Sequence, residues 1–288
     1  MRKKKLNLAI LDMYDGEPNQ GMRCIKDILL RFDSQITYKI FDVRGKAELP
    51  DIHDFDMYIS TGGPGNPTQG DGNWDLKYFD FLDQIWIWNQ NYNHRKFILF
   101  ICHSYQMACR HFGLGNLTQR KSTSFGVMSI YKTADGTRDP LFLNLENPFW
   151  AIDSRDYQVV KPDLKKFKVL GAKIIALEKI RDHVEHERAL MAIRFSPEMV
   201  GTQFHPEADP VGFIAHLKKA EVKEKIIATK GKAKFRKMLE QLVDEDKIYR
   251  TNENLIPNFL EQSIKKIRES KTLTLIKHSY DPVSQRSI

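Results

Sequence analysis

"FILFICHSYQMAC", residues 97–109, passes from an unbroken apolar run into a cysteine and straight on into a helical pattern. The run reads as a strand buried on both faces. "SYQMACRHFGLG" reads as a helix of about two to three turns closed by Gly113, the residue type that best accepts a left-handed cap. Outward from this unit the alternation repeats. Residues 6–11 form a short apolar run, followed by a polar loop and by Met22, Ile25, Ile28, Leu29 and Phe32 at helical spacing. "ITYKIFDV" (36–43) and "DMYIS" (56–60) read as further strands, and "WDLKYFDFLDQIWIWNQ" (74–90) as a helix ahead of "KFILFI" (96–101). Strands alternating with helices predict an α/β fold whose parallel sheet is covered on both faces.

After the cysteine the chain changes rhythm. "FGVMSIYK" (125–132), "VLGAKIIALE" (169–178), "ALMAIRF" (189–195) and "MVGTQF" (199–204) read as strands in quick succession, and "DPLFLNLENPFWAIDSRDYQVV" as a mixed connection with at least one extended piece. Sheet-building ends near "HPEADP" (205–210). From Gly212 the sequence is rich in Lys and Glu with amphipathic spacing, which predicts a helical extension. The expected division is therefore a sheet-bearing domain over residues 1–211 and a helical extension over 212–288.

Composition narrows the class. At 288 residues, 41% hydrophobic and 28% charged, the chain can bury a full core. Three cysteines, Cys24, Cys102 and Cys109, form no disulfide framework and point to a reducing, cytoplasmic setting. The apolar run after "MRKKK" stops at Asp12, too short for a signal peptide, and no stretch approaches the roughly 18–20 apolar residues of a membrane span. A formal charge of +8 is read as a lysine-rich solvated surface; with no recognisable nucleic-acid module beside it, a nucleic-acid partner is not expected.

Chemistry gathers at three strand ends. Cys102 sits at a strand-to-helix turn, where a side chain projects from the sheet and a helix N-terminus favours a thiolate. In "GTQFHPEADP", His205 follows a strand and Glu207 lies two residues on, close enough to orient the imidazole. "STGGPGNP" (60–67) also follows a strand, and its glycines let backbone N–H groups approach a developing oxyanion. A phosphate-loop reading fails because no GK[ST] follows.

"TGGPGNP", "ICHSYQ" and "GTQFHPE" together resemble the class I (triad) glutamine amidotransferases, over roughly residues 5–210. The resemblance implies a flavodoxin-like three-layer sandwich with a mostly parallel sheet. It also implies hydrolysis of the glutamine side-chain amide through a γ-glutamyl thioester, with no metal or organic cofactor. Carried onto this chain, Cys102 is the nucleophile, His205 the acid–base and Glu207 its orienter. The amides of Gly63 and His103 form the oxyanion hole, and Gln106 helps hold glutamine. Arg155 and Asp156 in "DSRDYQV" either meet the substrate's α-carboxylate and α-amino groups or pair with each other. The ammonia acceptor would lie on a separate synthetase subunit, and the chain looks closest to stand-alone GMP synthase-like proteins. A γ-glutamyl hydrolase or peptidase with the same triad, and a silent binding protein on this fold, are the alternatives.

Some residues depart from the family pattern or invite other readings. The family elbow is usually G-x-C-x-G, whereas Phe100 and Ser104 stand here, and Phe100 is expected to reshape the pocket beside the thiol. His103 after Cys102 is similar to the adjacent base of DJ-1/PfpI-type cysteine peptidases, but Gln106 and "FHPE" argue against that scheme. Trp74, Phe81, Trp86 and Trp88 read as core packing, as do Cys24 and Cys109. "DHVEHE" (182–187), with His183, Glu185, His186 and Glu187, reads as a polar turn and not as a metal site.

Overall fold

The computed structural model describes residues 4–16, 19–180, 188–244 and 247–279. "DHVEHE" lies outside them. The described strands are β1 (Leu6–Asp12), β2 (Ile36–Asp42), β3 (Met57–Ser60), β4 (Phe97–Ile101), β5 (Asn116–Lys132), β6 (Phe149–Val160), β7 (Lys173–Glu178), β8 (Leu190–Arg194) and β9 (Met199–Thr202). The helices are α1 (Gln20–Leu30), α2 (Val43–Lys46), α3 (Trp74–Asn91), α4 (His103–His111), α5 (Ala134–Arg138), α6 (Leu164–Leu170), α7 (Pro210–Leu217), α8 (Ala220–Lys230), α9 (Lys232–Leu242) and α10 (Ile248–Ser279).

The strands form one sheet in the order β2-β1-β3-β4-β9-β8-β7-β5-β6. From β2 to β9 all pairings are parallel, and from β9 to β6 they are antiparallel. The parallel half has the apolar runs that burial on both faces requires; every residue of β3, β4 and β9 is buried. Alternate side chains feed two cores. Leu8, Ile10, Ile59, Leu99 and Ile101 pack with Met22, Ile25 and Ile28 of α1, and with Leu255, Ile256, Phe259 and Leu260 of α10. Ala9, Leu11, Tyr58, Ile98 and Phe100 pack on the other face with Trp74, Tyr78 and Phe81 of α3. Helix–sheet–helix layering follows, and the aromatic stripe of α3 is core packing. Helix α10 is therefore part of the core beneath the sheet, where each fully buried Leu, Ile or Phe contributes about 1.5–3 kcal/mol.

Local signals explain two differences from expectation. Residues 169–170 close a helix instead of opening a strand: Asp163 accepts from the Lys165 and Lys166 amides at 3.0 Å, and Gly171 at φ +68° caps the other end. Strand β5 starts at Asn116, nine residues earlier than its apolar part, because its polar first half pairs with β6. Parallel order places the C-terminal ends of β1, β3, β4 and β9 along one sheet edge, where ligands of such folds bind.

Candidate active site

Strand β4 ends at Ile101 and α4 begins at His103, which leaves Cys102 alone to make the turn. It does so at φ +48°, ψ −97°, a conformation that costs a side-chain-bearing residue about 1–3 kcal/mol and persists where the surrounding structure over-determines it. The Cys102 amide donates to the Thr202 carbonyl at 2.8 Å, tying the turn to β9. Ser104 fits the position usually held by glycine because its buried hydroxyl donates to the Ser60 carbonyl at 2.7 Å and accepts from the Ile101 amide at 3.0 Å. The thiol is 5% exposed, with Sγ 3.7 Å from the Ser154 carbonyl oxygen.

Past β9, the His205 amide bonds the Ile152 carbonyl at 2.8 Å, anchoring the histidine to β6. Its Nδ1 lies 2.8 Å from Glu207 Oε1, and Cys102 is near enough to act on the charge of its ring. Glu207 is buried, and its own carbonyl accepts from Asn252 of α10 at 2.7 Å. Burial pulls the His205 proton affinity down. The charges of Glu207 and Cys102 outweigh burial and raise it well above the usual histidine range. Cysteine, histidine and glutamate thus meet at one sheet edge.

Gly63 lies in the loop after β3, and His103 is the first residue of α4, directly after Cys102. A Cβ on Gly63 would collide with the Met13 carbonyl, so only glycine lets this backbone run so close to β1. Arg44 donates to the Pro64 carbonyl and holds the same loop. The His103 amide opens α4, where N–H groups have no acceptor inside the helix. Its side chain is buried with Nε2 unpartnered. Burial, with Arg44 adding to it, lowers its pKa to about 3, so this imidazole is neutral at physiological pH.

The remaining expected residues are placed differently. Gln106 is buried and spends Nε2 on the Tyr157 carbonyl and on Gln203 Oε1, both at 3.0 Å. Gln203, inside "GTQFHPE" but not singled out by sequence, carries its own Nε2 to 3.8 Å from Cys102 Sγ. Arg155 and Asp156 do not pair, because consecutive strand residues face opposite sides of β6. Arg155 is buried with Nε 2.9 Å from Asp153 and Nη2 3.4 Å from Glu178, while exposed Asp156 accepts from Thr123. Tyr14, also missed, packs its hydroxyl beside Gly21, Gly62 and the His205 ring. Burial and then Glu207 hold that phenol well above its usual range, so it stays protonated.

Phe100 points into the core of the opposite face, 5.5 Å from Phe195, and does not shape the pocket. Room for it comes from the next strand. Gly201 pairs with Phe100, and a Cβ there would lie 3.0 Å from Phe100 Cβ and 2.8 Å from Tyr105 Cδ2. Gly201→Ala is expected to destabilise by about 1–3 kcal/mol in the wild type and by clearly less in a Tyr105→Ala background, which removes the tightest of these contacts. Urea unfolding of the four proteins reads this, and additive losses would refute the compensation.

A cavity of about 420 Å³ adjoins the triad, lined by His205, Glu207, Tyr14, Ile152, Ser154 and Phe213 among others. Cys24, at its edge, bonds Asp209 at 3.0 Å; burial, then Asp209, push its thiol up to about 12. Cys109 is buried and likewise raised. Among the described residues no group of three or more His, Cys, Asp or Glu is placed to hold a metal ion. Among them also, no helix is long and apolar enough to cross a membrane.

The model of the family "Glutamine amidotransferase class-I" matches residues 20–223, well over half of the chain. No curated protein matches. A glutamine amidotransferase from Thermotoga maritima superposes with TM-score 0.66 at 16% identity, over 91% of this chain and 99% of that one. A putative GMP synthase component from Thermoplasma acidophilum gives 0.56 at 14%, over 94% and 98%. The glutaminase domain of Trypanosoma brucei CTPS, with bound acivicin, gives 0.51 at 13%, over 70% and 86%. At these identities the likeness is one of fold. The family match, by contrast, settles membership: this chain belongs to the class-I glutamine amidotransferases.

Proposed function

We propose that the chain hydrolyses the side-chain amide of glutamine through a thioester on Cys102. Within residues 1–211, the proposed catalytic unit, the sulfur attacks the amide carbon and the carbonyl oxygen takes negative charge. The amides of Gly63 and His103 receive that charge. The His205 imidazolium then protonates the nitrogen, the C–N bond breaks and ammonia leaves. Neutral His205 next takes a proton from water, whose oxygen attacks the thioester; glutamate departs and the thiolate is restored. Glu207 holds Nδ1 so that Nε2 faces the sulfur throughout. The observation that carries this reading is the His205–Glu207 contact beside a cysteine held in a strained turn.

No step of this chemistry calls for a metal or organic cofactor. Gln106 acts through Gln203, which it fixes near the sulfur, while the charge of buried Arg155 is spent on Asp153 and Glu178. The ammonia acceptor is proposed to lie on a separate synthetase protein, since fold neighbours include a putative GMP synthase component and a CTPS glutaminase domain. The cytoplasm is the proposed compartment, in keeping with three free cysteines.

A glutamine-mimicking diazoketone tests the reading by mass spectrometry. One adduct is expected, on the peptide bearing Cys102, with Cys24 and Cys109 unmodified because both are held as thiols. An adduct elsewhere, or none at an excess of reagent, would overturn it.

A further inference from the structure

The mechanism leaves the chain's positive charge unused, and the fold concentrates it. Residues 218–242 carry nine lysines and arginines against three glutamates, a net +6 of the chain's +8. This stretch is the antiparallel hairpin of α8 and α9, turned at Gly231 (φ +83°) and lying mostly beyond the family match. Its apolar side chains face inward: Ile226, Phe235, Met238 and Leu242 are buried against Val127 and Ile152 of the sheet. Lys223, Lys225, Lys232, Lys234 and Lys237 are all exposed. Among the described residues one ion pair forms within the hairpin, Arg236 with Glu240 at 3.6 Å, between two exposed side chains. The lysine-rich solvated surface read from sequence is thus concentrated on this hairpin.

Charge type selects the partner. The hairpin's cations are eight lysines and one arginine, its one aromatic, Phe235, is buried, and lysine is depleted at protein–protein interfaces, where arginine and aromatics are enriched. Insertion at a membrane surface needs an outward apolar face, and this hairpin turns its apolar face to the core. Lysine meets phosphate as a point charge without demanding geometry. Each helix has 11 residues, about 16 Å of length, against a duplex that presents one charge per roughly 1.7 Å. We propose that the α8–α9 hairpin is a sequence-independent docking surface for the phosphate backbone of nucleic acid.

The test is fluorescence anisotropy of the full chain with a labelled mixed-sequence DNA duplex of about 20 base pairs. Four or more phosphate contacts predict affinity falling on the order of 100-fold between about 50 and 200 mM salt. The triple variant Lys225→Glu/Lys232→Glu/Lys234→Glu should bind at least about tenfold more weakly at the lower salt. The charge-matched control Lys165→Glu/Lys166→Glu/Lys168→Glu, on the exposed face of α6, should stay within about threefold of wild type. Circular dichroism checks that both variants fold. Absence of binding at low salt, equal losses in the two variants, or displacement of the duplex by poly-L-glutamate or phosphatidylserine vesicles at equal charge concentration each overturns the assignment. Should the hairpin variant misfold, the wild-type salt slope and competition arms still decide. None of these outcomes bears on the diazoketone adduct.

Discussion

Cys102→Ala is expected to lower ammonia release from saturating glutamine by on the order of 10⁴-fold or more, with the far-UV spectrum unchanged. Without sulfur no thioester forms, and what remains is attack by water assisted by His205 and the two amides. The fold should tolerate the exchange. Alanine carries the same Cβ into the φ +48° turn, so strain is similar, and the anchoring bond to Thr202 comes from the backbone. Cys102→Ser sharpens the experiment, because it keeps a hydrogen-bonding group of nearly the same size and is expected to be almost as inactive. Ammonia and glutamate are measured together, since the thioester route releases them in equal amounts. A Cys102→Ala protein retaining a tenth of the wild-type rate would end the nucleophile assignment.

Most of the parallel half was legible because burial on both faces writes an uninterrupted apolar run. "FILFI" could hardly be anything but a central strand, and the end of such a strand fixes Cys102 at the sheet edge. Elements whose structure depends on partners were less legible. "NLTQRKSTS" has no apolar periodicity and becomes strand only because β6 lies beside it. Residues 248–267 read as part of an amphipathic helical extension, but only the fold shows that the apolar face of α10 joins the core under β1 and β4.

The same distinction separates the triad from the pocket. Cys102, His205 and Glu207 each occupy a chain position whose backbone setting is local, so sequence order alone was enough to propose them as a set. Gln106, Arg155 and Phe100 take their roles from neighbours remote in sequence: Gln203, Glu178 and Gly201. Phe100 shows the limit best. A bulky residue where the family has a small one looks like an obstruction to the site, and only the fold reveals that its ring is directed into the opposite core, against Phe195.

Glu207→Gln is expected to reduce kcat by about 10²–10⁴-fold and to move its alkaline limb to lower pH. In the wild type, burial favours neutral His205, but Glu207 and Cys102 overcome it and keep the imidazolium well past the usual histidine range. The proposed acid for the leaving nitrogen is thereby retained under alkaline conditions. A neutral amide in place of the carboxylate removes the foremost of the raising influences, so the proton is lost earlier and the rate declines earlier. Stability should follow the same sign. A histidine whose folded pKa is raised stabilises the fold fully below its unfolded value, about 6.5, and loses that contribution as pH rises through the folded value. The melting-temperature gap between wild type and Glu207→Gln should therefore be widest at mildly acidic pH and narrow on the alkaline side. An alkaline limb that stays in place, with a melting gap independent of pH, would show that Glu207 does not set the charge on His205.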